Sequence, residues 1–363
     1  MADARSSDIP ARDRPLLIVV GSGSRIYREY ILRGAAARYR CWLMQPTEPT
    51  WQRPYLVGSS LVDNTAPRAL VGACLDVAAR HEVAGVLCYD EGLVWPSAYA
   101  AEALGVPRNP PDAIRACRDK HATRRALASA GIRQPASRCV ATLAEAAKKA
   151  AEIGYPVVLK PRGLAGSKGV LRVDGPGELP GAYAAARTAS YPGVPVYPAG
   201  VLVEEFVPGP EISVDAVFHE GACVPLVVAR KQVAFDPYFE EVGHLVDAAD
   251  PLLTDPVLRA ELERSHAALG FRNGVTHTEF KLDSGGLSLL EVNARLGGDL
   301  IPYLGLLAAG ADCALAAADV AAGRRPQPAE PPAEPPARSV AGIRFLYPER
   351  DTAVSSVEVR ADR

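Results

Sequence analysis

The sequence of 363 residues lacks several features that would assign it to a class at once. No apolar run approaches the roughly 20 residues that a membrane-spanning helix needs. Lysine and arginine (40 together) nearly balance aspartate and glutamate (42), so there is no basic excess that would favour nucleic acid. The segment 1–14 is polar and does not resemble a secretory signal. We therefore expect a cytoplasmic protein that acts on small molecules, with neither nucleic acid nor a membrane as its partner.

The seven cysteines lack a pattern. None of them forms a C-x-x-C pair, and they stand at 41, 74, 88, 117, 139, 223 and 313. An odd, scattered set without an export signal favours reduced thiols in the cytoplasm. We expect most of these side chains to be small buried hydrophobic groups.

The first part of the chain alternates between strand and helix patterns. The apolar segment 15–20 is typical of a buried parallel strand, and an amphipathic helix near 25–38 and a strand at 40–45 follow. A second helix near 66–81 and a strand at 85–89 continue the pattern. This alternation predicts a doubly wound α/β domain over residues 1–110.

Prolines at 107, 110 and 111 mark a boundary after that domain. Beyond it, the patterns predict helices at 112–131 and 142–153, strands at 155–161, 170–173, 201–207 and 211–218, and a last strand at 339–347. The proline-rich segment 326–336 predicts an extended, exposed spacer.

Two short β-rich runs near residue 280 predict a hairpin. They cover 276–282 and 287–293, and a turn at 283–286 separates them. Glu279 and Glu291 would lie on neighbouring strands, where antiparallel pairing brings side chains within about 5 Å of each other. A surface hairpin with one solvated acid on each strand is the alternative.

Asn293 follows Glu291 by two residues and would share its face of the sheet. Two carboxylates and an amide oxygen at such distances suit Mg²⁺ with bound phosphates. Arg295 comes next and is a bidentate donor for phosphate or carboxylate. The hairpin therefore predicts a site for a metal and an anion.

A second anion-binding pattern begins at Lys160, which ends an apolar strand. The segment 162–169 follows it and contains three glycines, whose backbone N–H groups can close over an anion beside the lysine charge. This is not a P-loop, because no G-K-S/T sequence opens a helix. The pattern of strand, loop and strand predicts a hairpin flap that covers phosphates and excludes water, with an ordinary flexible hairpin as the alternative.

Four features occur in a fixed order: Asp119-Lys120, Lys160 with its glycine loop, the segment E-E-F-V-P-G-P-E at 204–211, and E…E-V-N-A-R between 279 and 295. In this order the chain resembles the ATP-grasp superfamily over about 119–299, roughly half of its length. Each motif alone is weak evidence for this superfamily, but all four motifs in this order are specific to it. The segments H-T-E-F-K-L, E-V-N-A-R-L-G-G-D and F-E-E-V-G-H resemble L-amino acid ligases, the carboxylate–amine ligase branch that makes dipeptides.

The resemblance implies an ATP-grasp fold, in which two α+β lobes grip ATP, preceded by a Rossmann-like doubly wound pre-ATP-grasp domain. It places the small lobe at 111–200 and the large lobe at 201–363. Such ligases usually continue for some tens of residues beyond the region of Arg344, so substrate residues in the tail are in doubt.

The resemblance also implies roles at an ATP site. The two lysines would contact phosphates, and the flap at 163–169 would cover them. The hinge at 204–207 would offer backbone groups to adenine, with Phe206 against the ring. Glu211 would hold the ribose hydroxyls. The residues assigned to ATP in this way are Lys120, Lys160, Gly166, Ser167, Gly169, Glu204, Glu205, Phe206, Val207 and Glu211.

The remaining roles concern metal and charge. Glu279, Glu291 and Asn293 would hold two Mg²⁺ ions, with Mn²⁺ as an alternative, that bridge the β- and γ-phosphates. Arg295 would stabilise the transferring phosphoryl group and the acyl phosphate.

Several residues are assigned to the substrates. His277 would line the substrate pocket or stack within the strand layer, and His244, in a loop-like stretch, would face substrate. Gly297 and Gly298 would present N–H groups to a carboxylate or oxyanion, or form a tight turn. Arg344 would hold a substrate carboxylate or be a surface charge.

The function that follows is that of a ligase. ATP phosphorylates the carboxylate of an amino acid or related acid, an amine attacks the acyl phosphate, and ADP and phosphate leave. His277, His244, water or phosphate would take the proton of the amine. A carboxylase-type enzyme that activates bicarbonate and a non-catalytic ATP-binding protein are the alternatives. Dimers are common in the family, and the oligomeric state stays open.

Overall fold

The computed structural model describes residues 11–164, 166–190, 197, 200–326, 339–348, 350 and 352–358. Its N-terminal domain contains a four-stranded parallel sheet in the order β3-β2-β1-β4. Every residue of β1 is buried, as its apolar run predicts. The predicted doubly wound α/β domain is thereby confirmed. Its elements are β1 (Leu16–Val20), α1 (Arg25–Arg38), β2 (Arg40–Gln45), β3 (Gly58–Leu61), α2 (Pro67–Ala78), β4 (Val83–Leu87) and α3 (Val94–Leu104).

The single helix predicted at 112–131 is wrong, because the structure has two helices, α4 (Pro111–Arg118) and α5 (Lys120–Ser129). Asp119 between them has an extended backbone, and its carboxylate caps α5 by accepting the N–H groups of the next turn. The guanidinium of Arg162 holds the same carboxylate at 2.5 Å. A contact from a segment distant in sequence thus favours a break that helical periodicity does not reveal.

A small lobe follows, with an antiparallel sheet in the order β5-β8-β6-β7. Strands β6 and β7 flank the glycine loop, so the predicted strand–loop–strand arrangement of the flap is present. The last strand of this sheet, β8, begins at Val201, so the sheet extends past the boundary predicted at 200. The elements are β5 (Ser137–Val140), α6 (Leu143–Ile153), β6 (Val157–Pro161), β7 (Leu171–Val173), α7 (Leu179–Thr188) and β8 (Val201–Glu205).

The large lobe is built on a six-stranded sheet in the order β13-β12-β9-β10-β11-β14, with every neighbouring pair antiparallel. Its elements are β9 (Glu211–His219), β10 (Ala222–Ala234), β11 (Glu240–Asp247), α8 (Pro256–Leu269), β12 (Gly274–Asp283), β13 (Gly286–Asn293), α9 (Ile301–Ala309), α10 (Cys313–Ala321) and β14 (Val340–Arg344). Apart from Pro326, the predicted spacer at 326–336 lies outside the described residues.

Two apolar clusters join parts of the chain that are distant in sequence. One contains Leu32 of α1, Val217 of β9 and Ala317 of α10, so the N-terminal domain and the large lobe share a core. The other contains Ile114 of α4 and Phe280 of β12. Helix α4 therefore packs on the large lobe, although it precedes the small lobe in sequence.

None of the seven cysteines, all of which lie in the described part of the chain, is in a disulfide, and five of them are buried. In the described part of the chain, no single helix is long and apolar enough to cross a membrane. Helices α9 and α10 reach that length and apolar character only together, with a bend of 110° between them. Both helices contribute buried residues to the shared core.

Candidate active site

A cleft lies between the flap of the small lobe and one face of the large-lobe sheet. Its lining combines the predicted phosphate lysines, the hinge, the paired acids and the arginine that follows them. The predicted residues among those lining it are Lys120, Lys160, Gly166, Ser167, Glu204, Glu205, Phe206, Val207, Glu211, Glu279, Glu291, Asn293 and Arg295. Tertiary folding therefore brings nearly the whole predicted ATP site into one cavity.

The predicted hairpin is confirmed, and its register places the acids opposite each other. Glu279 of β12 pairs with Glu291 of β13, and His277 pairs with Asn293. The register shifts after Glu279, because Leu290 is the extra residue of a β-bulge. The bulge lets both acids face the cleft while Phe280 of the neighbouring pair is buried in the core.

Each of the two acids is paired with a lysine ammonium group. Lys120 Nζ lies 3.0 Å from Glu291 and also donates to the carbonyl of Leu164 in the flap. Lys231 Nζ lies 3.1 Å from Glu279. Carboxylates that hold ammonium groups in this way, beside the amide of Asn293, are a donor set that fits Mg²⁺.

Lys231 is a residue of the site that the sequence analysis missed. Its side chain is buried, and it also contacts Glu211 at 3.0 Å and Glu241 at 2.7 Å from strand β10. Burial alone would lower the pKa of Lys231, but the surrounding carboxylates raise it well above its ordinary value. A lysine within the largely apolar segment 222–234 was the available signal, since a buried lysine requires partners.

Lys160 and Glu204 form a buried ion pair at 2.6 Å, and Arg124 holds the same carboxylate at 2.7 and 3.0 Å. Burial would raise the pKa of Glu204, but the two cations hold it well below its ordinary range. Burial lowers the pKa of Lys160, although Glu204 opposes this. The side chain of Glu204 is therefore occupied, and only its backbone can serve a nucleotide.

The hinge at 204–207 begins at the end of β8, and few of its backbone groups are free. The N–H of Glu205 donates to Ala136 at 2.8 Å, and the carboxylate of Glu205 accepts from the N–H of Ala136. Within the described residues, the N–H of Val207 forms no hydrogen bond, and Val207 lines the cleft. This backbone donor suits the predicted adenine contact.

Aromatic and cationic groups surround Phe206 of the hinge. The Arg172 guanidinium carbon lies 4.4 Å from the centre of its ring, and Phe239 stacks on it at 6.3 Å. Nearby, Glu211 is held by Lys231 and by Lys281 at 3.2 Å. The predicted ribose carboxylate thus lies next to the predicted adenine contact, but it is already paired.

The flap residues differ in orientation. Gly166 and Ser167 line the cleft and have positive φ angles of 67° and 50°. Gly169, at φ 74°, does not line this cleft, because it packs against the end of α7. A Cβ at Gly169 would lie 2.7 Å from the Cβ of Ala189. Gly169 is therefore required for packing of the flap rather than for contact with the cleft.

His277 is buried between two carboxylates on the face of the sheet that carries Glu279. Its Nδ1 lies 3.2 Å from Asp215 and its Nε2 lies 3.4 Å from Glu279. Burial would lower the pKa of His277, but the charge of Asp215 and the contacts with both acids raise it to about 9. A histidine that is protonated at neutral pH does not accept a proton, so this environment argues for an orienting role.

The prediction that His244 lies in a loop-like stretch is wrong. His244 lies in strand β11, where it is buried. Its Nε2 lies 3.1 Å from Glu241 and 3.6 Å from Asp299. Burial would lower the pKa of His244, but contacts with these acids raise it. The ligand atoms of the three residues lie within 4.8 Å of one another.

The N–H of Gly297 donates to Asp215 at 2.7 Å, so the prediction that it binds a substrate anion is wrong. A Cβ at Gly297 would also lie 2.8 Å from His277 Nδ1. Gly298 has open space around its Cα, so its predicted role as an N–H donor stays a prediction.

Arg344 is exposed on β14. Its neighbour Ile343 pairs with His244, and side chains alternate along a strand, so Arg344 lies on the opposite face from His244. The structure therefore favours the surface-charge alternative over a substrate contact.

Arg295 is fixed by a residue of the N-terminal domain. Its Nε donates to Glu91 at 2.8 Å, and its Nη1 donates to the carbonyl of Leu296 at 2.7 Å. The sequence analysis missed Glu91. The available signal was its place just after the predicted strand 85–89, since the carboxyl ends of parallel strands are where α/β sheets bind ligands.

Residues 153–302 match the family model described as an ATP-grasp domain. The chain contains an ATP-grasp domain. The match covers the flap, the hinge, the paired acids and Arg295, which are the features that form the cleft. The predicted ATP-grasp fold is thereby confirmed.

Curated relatives of this ATP-grasp chain include ligases. It is 32% identical over 253 residues to the uncharacterized protein y4rH of Sinorhizobium fredii (68% of this chain, 50% of that protein). It is 27% identical over 259 residues to alanine–anticapsin ligase of Bacillus subtilis (65% and 53%), and 30% identical over 282 residues to carnosine synthase 1 of Gallus gallus (74% and 30%). The chain spans about half, or less, of the length of these relatives.

Solved structures also superpose on the chain. The L-amino acid ligase from Bacillus licheniformis has a TM-score of 0.69 at 23% identity, and the match covers 85% of this chain and 74% of that one. A biotin carboxylase complex from Campylobacter jejuni has a TM-score of 0.67 at 17% identity, covering 86% and 72%. At these identities, the likeness shows the fold alone.

Proposed function

We propose that this protein is an ATP- and Mg²⁺-dependent ligase that joins the carboxylate of an amino acid or related acid to an amine. The reaction would proceed through an acyl phosphate and release ADP and phosphate. The observation that carries the proposal is the in-register pair Glu279 and Glu291, which shares one cleft with Lys120, Lys160 and Arg295. Such an arrangement suits phosphoryl transfer, which depends mainly on positioning and charge neutralisation.

The residues of the chain have separate tasks in this proposal. Glu279, Glu291 and Asn293 would hold Mg²⁺, which neutralises phosphate charge when it is bound. Lys120 and Lys160 would bind phosphate oxygens. Lys120 would exchange Glu291 for a phosphate when nucleotide enters, since its ammonium group is 3.0 Å from that acid.

The flap would protect the intermediate. Gly166 and Ser167 lie over the cleft, and Lys120 contacts the flap carbonyl of Leu164. An acyl phosphate hydrolyses in water, so closure of this segment would favour attack by the amine. Arg295 would stabilise the charge on the transferring phosphoryl group.

The proton of the attacking amine requires an acceptor. Neighbouring carboxylates raise the pKa of His277 to about 9 against the effect of burial, so His277 would carry a proton at neutral pH. The Nε2 of His244 is held by Glu241 and Asp299, which raise its pKa against the effect of burial. We therefore assign the proton to water or to the departing phosphate. The histidines would instead orient the carboxylates around them.

A second candidate is an enzyme that activates bicarbonate. It is favoured by the likeness to a biotin carboxylase, and it would use the same phosphate and metal residues. Two relatives, alanine–anticapsin ligase and carnosine synthase 1, favour the amine ligase instead. A non-catalytic ATP-binding protein is a weaker candidate, because Glu279, Glu291 and Asn293 are all present in the cleft. A cytoplasmic location stays a prediction of the sequence, and the oligomeric state stays open.

The first test measures ADP and phosphate release with ATP and Mg²⁺ against the twenty amino acids, singly and in pairs, with mass detection of products. The proposal expects release that requires a pair and a product mass equal to the two acids minus water. Release with bicarbonate alone, independent of any amine, would support the carboxylase instead. ATP binding with no release from any acid, amine or bicarbonate would favour the non-catalytic protein.

A further inference from the structure

Glu91 stands at the carboxyl end of the parallel sheet in the N-terminal domain. The turn that carries it is fixed, because the Asp90 carboxylate accepts the N–H of Gly92 at 2.8 Å. The Asp90 carbonyl also accepts the N–H groups of Leu93 and Val94, which begins helix α3. The backbone of Glu91 is therefore held in place by its own domain.

From this position, Glu91 reaches the ATP-grasp cleft. Its carboxylate accepts from Arg295 Nε at 2.8 Å, while Arg295 Nη1 donates to Leu296. In the part of the chain that the structure describes, Arg295 Nη2 forms no hydrogen bond, and Arg295 lines the cleft. Two of the three guanidinium nitrogens are thus fixed, and the third is available to a ligand.

A second arginine contacts the other oxygen of Glu91. Arg118, the last residue of α4, is buried, and its Nε lies 3.4 Å from Glu91 Oε1. Its Nε and Nη2 form no hydrogen bonds within the described residues, so this contact is an ion pair of poor hydrogen-bond geometry. Glu91 is the anion between two guanidinium groups, and the three groups together carry a net positive charge.

This arrangement has a physical consequence for Arg295. A free arginine side chain samples many rotamers, and fixing it costs conformational entropy. Glu91 would fix the guanidinium before ligand binds, and a donor held in advance contributes most where charge develops in the transition state. Arg295 lines the same cleft as the predicted metal acids Glu279 and Glu291.

We propose that Glu91 is a positioning residue that orients Arg295 toward the transferring phosphoryl group, so that the N-terminal domain completes the phosphoryl-binding site. The inference rests on the proposed function only in assigning the phosphoryl contact to Arg295. It does not depend on which acid or amine the enzyme uses.

The test measures binding of Mg·ADP with and without aluminium fluoride, which mimics a transferring phosphoryl group. We expect E91Q to weaken binding of the fluoride complex by about tenfold or more, with Mg·ADP alone changed by less than about threefold. E91D, which keeps the charge on a shorter side chain, should give an intermediate loss. The control is E102Q, because Glu102 pairs with Arg108 at 3.6 Å on the surface of the same domain, and it should bind like the wild type.

A double-mutant cycle separates positioning from a merely structural role. If Glu91 acts through Arg295, R295M and E91Q/R295M should bind the fluoride complex equally weakly, because E91Q has nothing further to remove. Additive losses would overturn the proposal, as would wild-type binding by E91Q, or a wild type that binds the fluoride complex no better than Mg·ADP. The measurement needs no acid or amine. If no pair of amino acids gave ADP release but the double-mutant cycle gave the expected coupling, the ligase proposal would be refuted and this inference would stand.

Discussion

The ammonium group of Lys231 lies 3.1 Å from the carboxylate of Glu279, on the face of the large-lobe sheet that forms the cleft. The same ammonium group contacts Glu211 and Glu241. One buried cation thus contacts three acids. They are Glu279, which is predicted to bind metal, Glu211, which is predicted to bind the ribose, and Glu241, which also contacts His244. The acidic face of the cleft depends on Lys231 while nucleotide and metal are absent.

The substitution K231M should therefore lower the free energy of unfolding by about 3–5 kcal/mol, because it leaves three partly buried carboxylates without their shared cation. Urea unfolding without nucleotide measures this loss. Added Mg²⁺ should restore part of it. K148M, at an exposed lysine of α6, is the control and should change stability by less than about 0.5 kcal/mol. A K231M protein as stable as the wild type would show that the lysine is not the counter-ion of these acids.

The substitution E291Q removes a predicted metal charge while preserving the shape of the side chain. ADP release should fall by about 100-fold or more, because phosphoryl transfer requires the neutralisation that this acid supports. The melting temperature should change little, since Glu291 is partly exposed and its partner Lys120 retains a flap contact. E152Q, on the surface of α6, is the control. Near wild-type turnover by E291Q would refute the metal assignment.

Lys160 and Lys168 belong to different elements of the small lobe. Lys160 is the penultimate residue of strand β6 and pairs with Glu204, whereas Lys168 belongs to the flap loop. K160A should weaken ATP binding by about tenfold or more, through loss of a charge-assisted hydrogen bond, and K168A should weaken it less. Titration of each variant with a non-hydrolysable ATP analogue compares them. Equal losses would contradict the ranking.

Two adjacent glycines provide a matched pair. A Cβ at Gly297 would lie 2.8 Å from His277 Nδ1 and 2.9 Å from Asp215 Oδ2, whereas nothing lies within 4 Å of a Cβ at Gly298. G297A should therefore cost about 1–3 kcal/mol of stability and reduce turnover. G298A should retain the stability of the wild type. Thermal unfolding and ADP release of both variants test this. A G297A protein with wild-type stability and turnover would show that Asp215 and His277 move easily to admit the methyl group.

His266 predicts a pH dependence of stability. It is buried, and its ring stacks on Phe218 at 4.0 Å. Its Nδ1 donates to the carbonyl of Leu262, and in the neutral ring its Nε2 accepts from the hydroxyl of Thr276. Burial lowers the pKa of His266 to about 4. Between the unfolded value near 6.5 and pH 4, the unfolded chain binds a proton that the folded protein rejects, so stability falls as pH falls.

The loss specific to this histidine should reach roughly 3 kcal/mol at pH 4. Urea unfolding of the wild type and H266Q from pH 7 to pH 4 measures it, because the carboxylates contribute to both proteins alike. H266Q should start less stable and lose less on acidification. Parallel curves for the two proteins would contradict the pKa of His266.

Much of the site follows from sequence because its local patterns are short-range. Alternation and a glycine turn predict the hairpin of Glu279 and Glu291, and a period of two places Asn293 beside Glu291. The order of lysine, glycine loop, hinge and acids predicts the ATP-grasp domain. The parallel sheet of the N-terminal domain follows from its buried strand patterns.

Other features depend on contacts between distant segments, which periodicity does not encode. Asp119 breaks a helix that its neighbours would continue, because Arg162, which follows β6, holds its carboxylate. The N–H of Gly297 is taken by Asp215 of β9.

The sequence by itself determined the domain class and the identity of the chemical groups. Only the tertiary structure decided which of these groups are already satisfied and which remain free for a ligand. Lys231 and Glu91 belong to the site because β10 and the N-terminal domain pack beside the hairpin. Lys231 lies 48 residues before Glu279, and Glu91 lies 204 residues before Arg295. Charges interact through space, so the partners of a buried ion are set by packing and not by position along the chain.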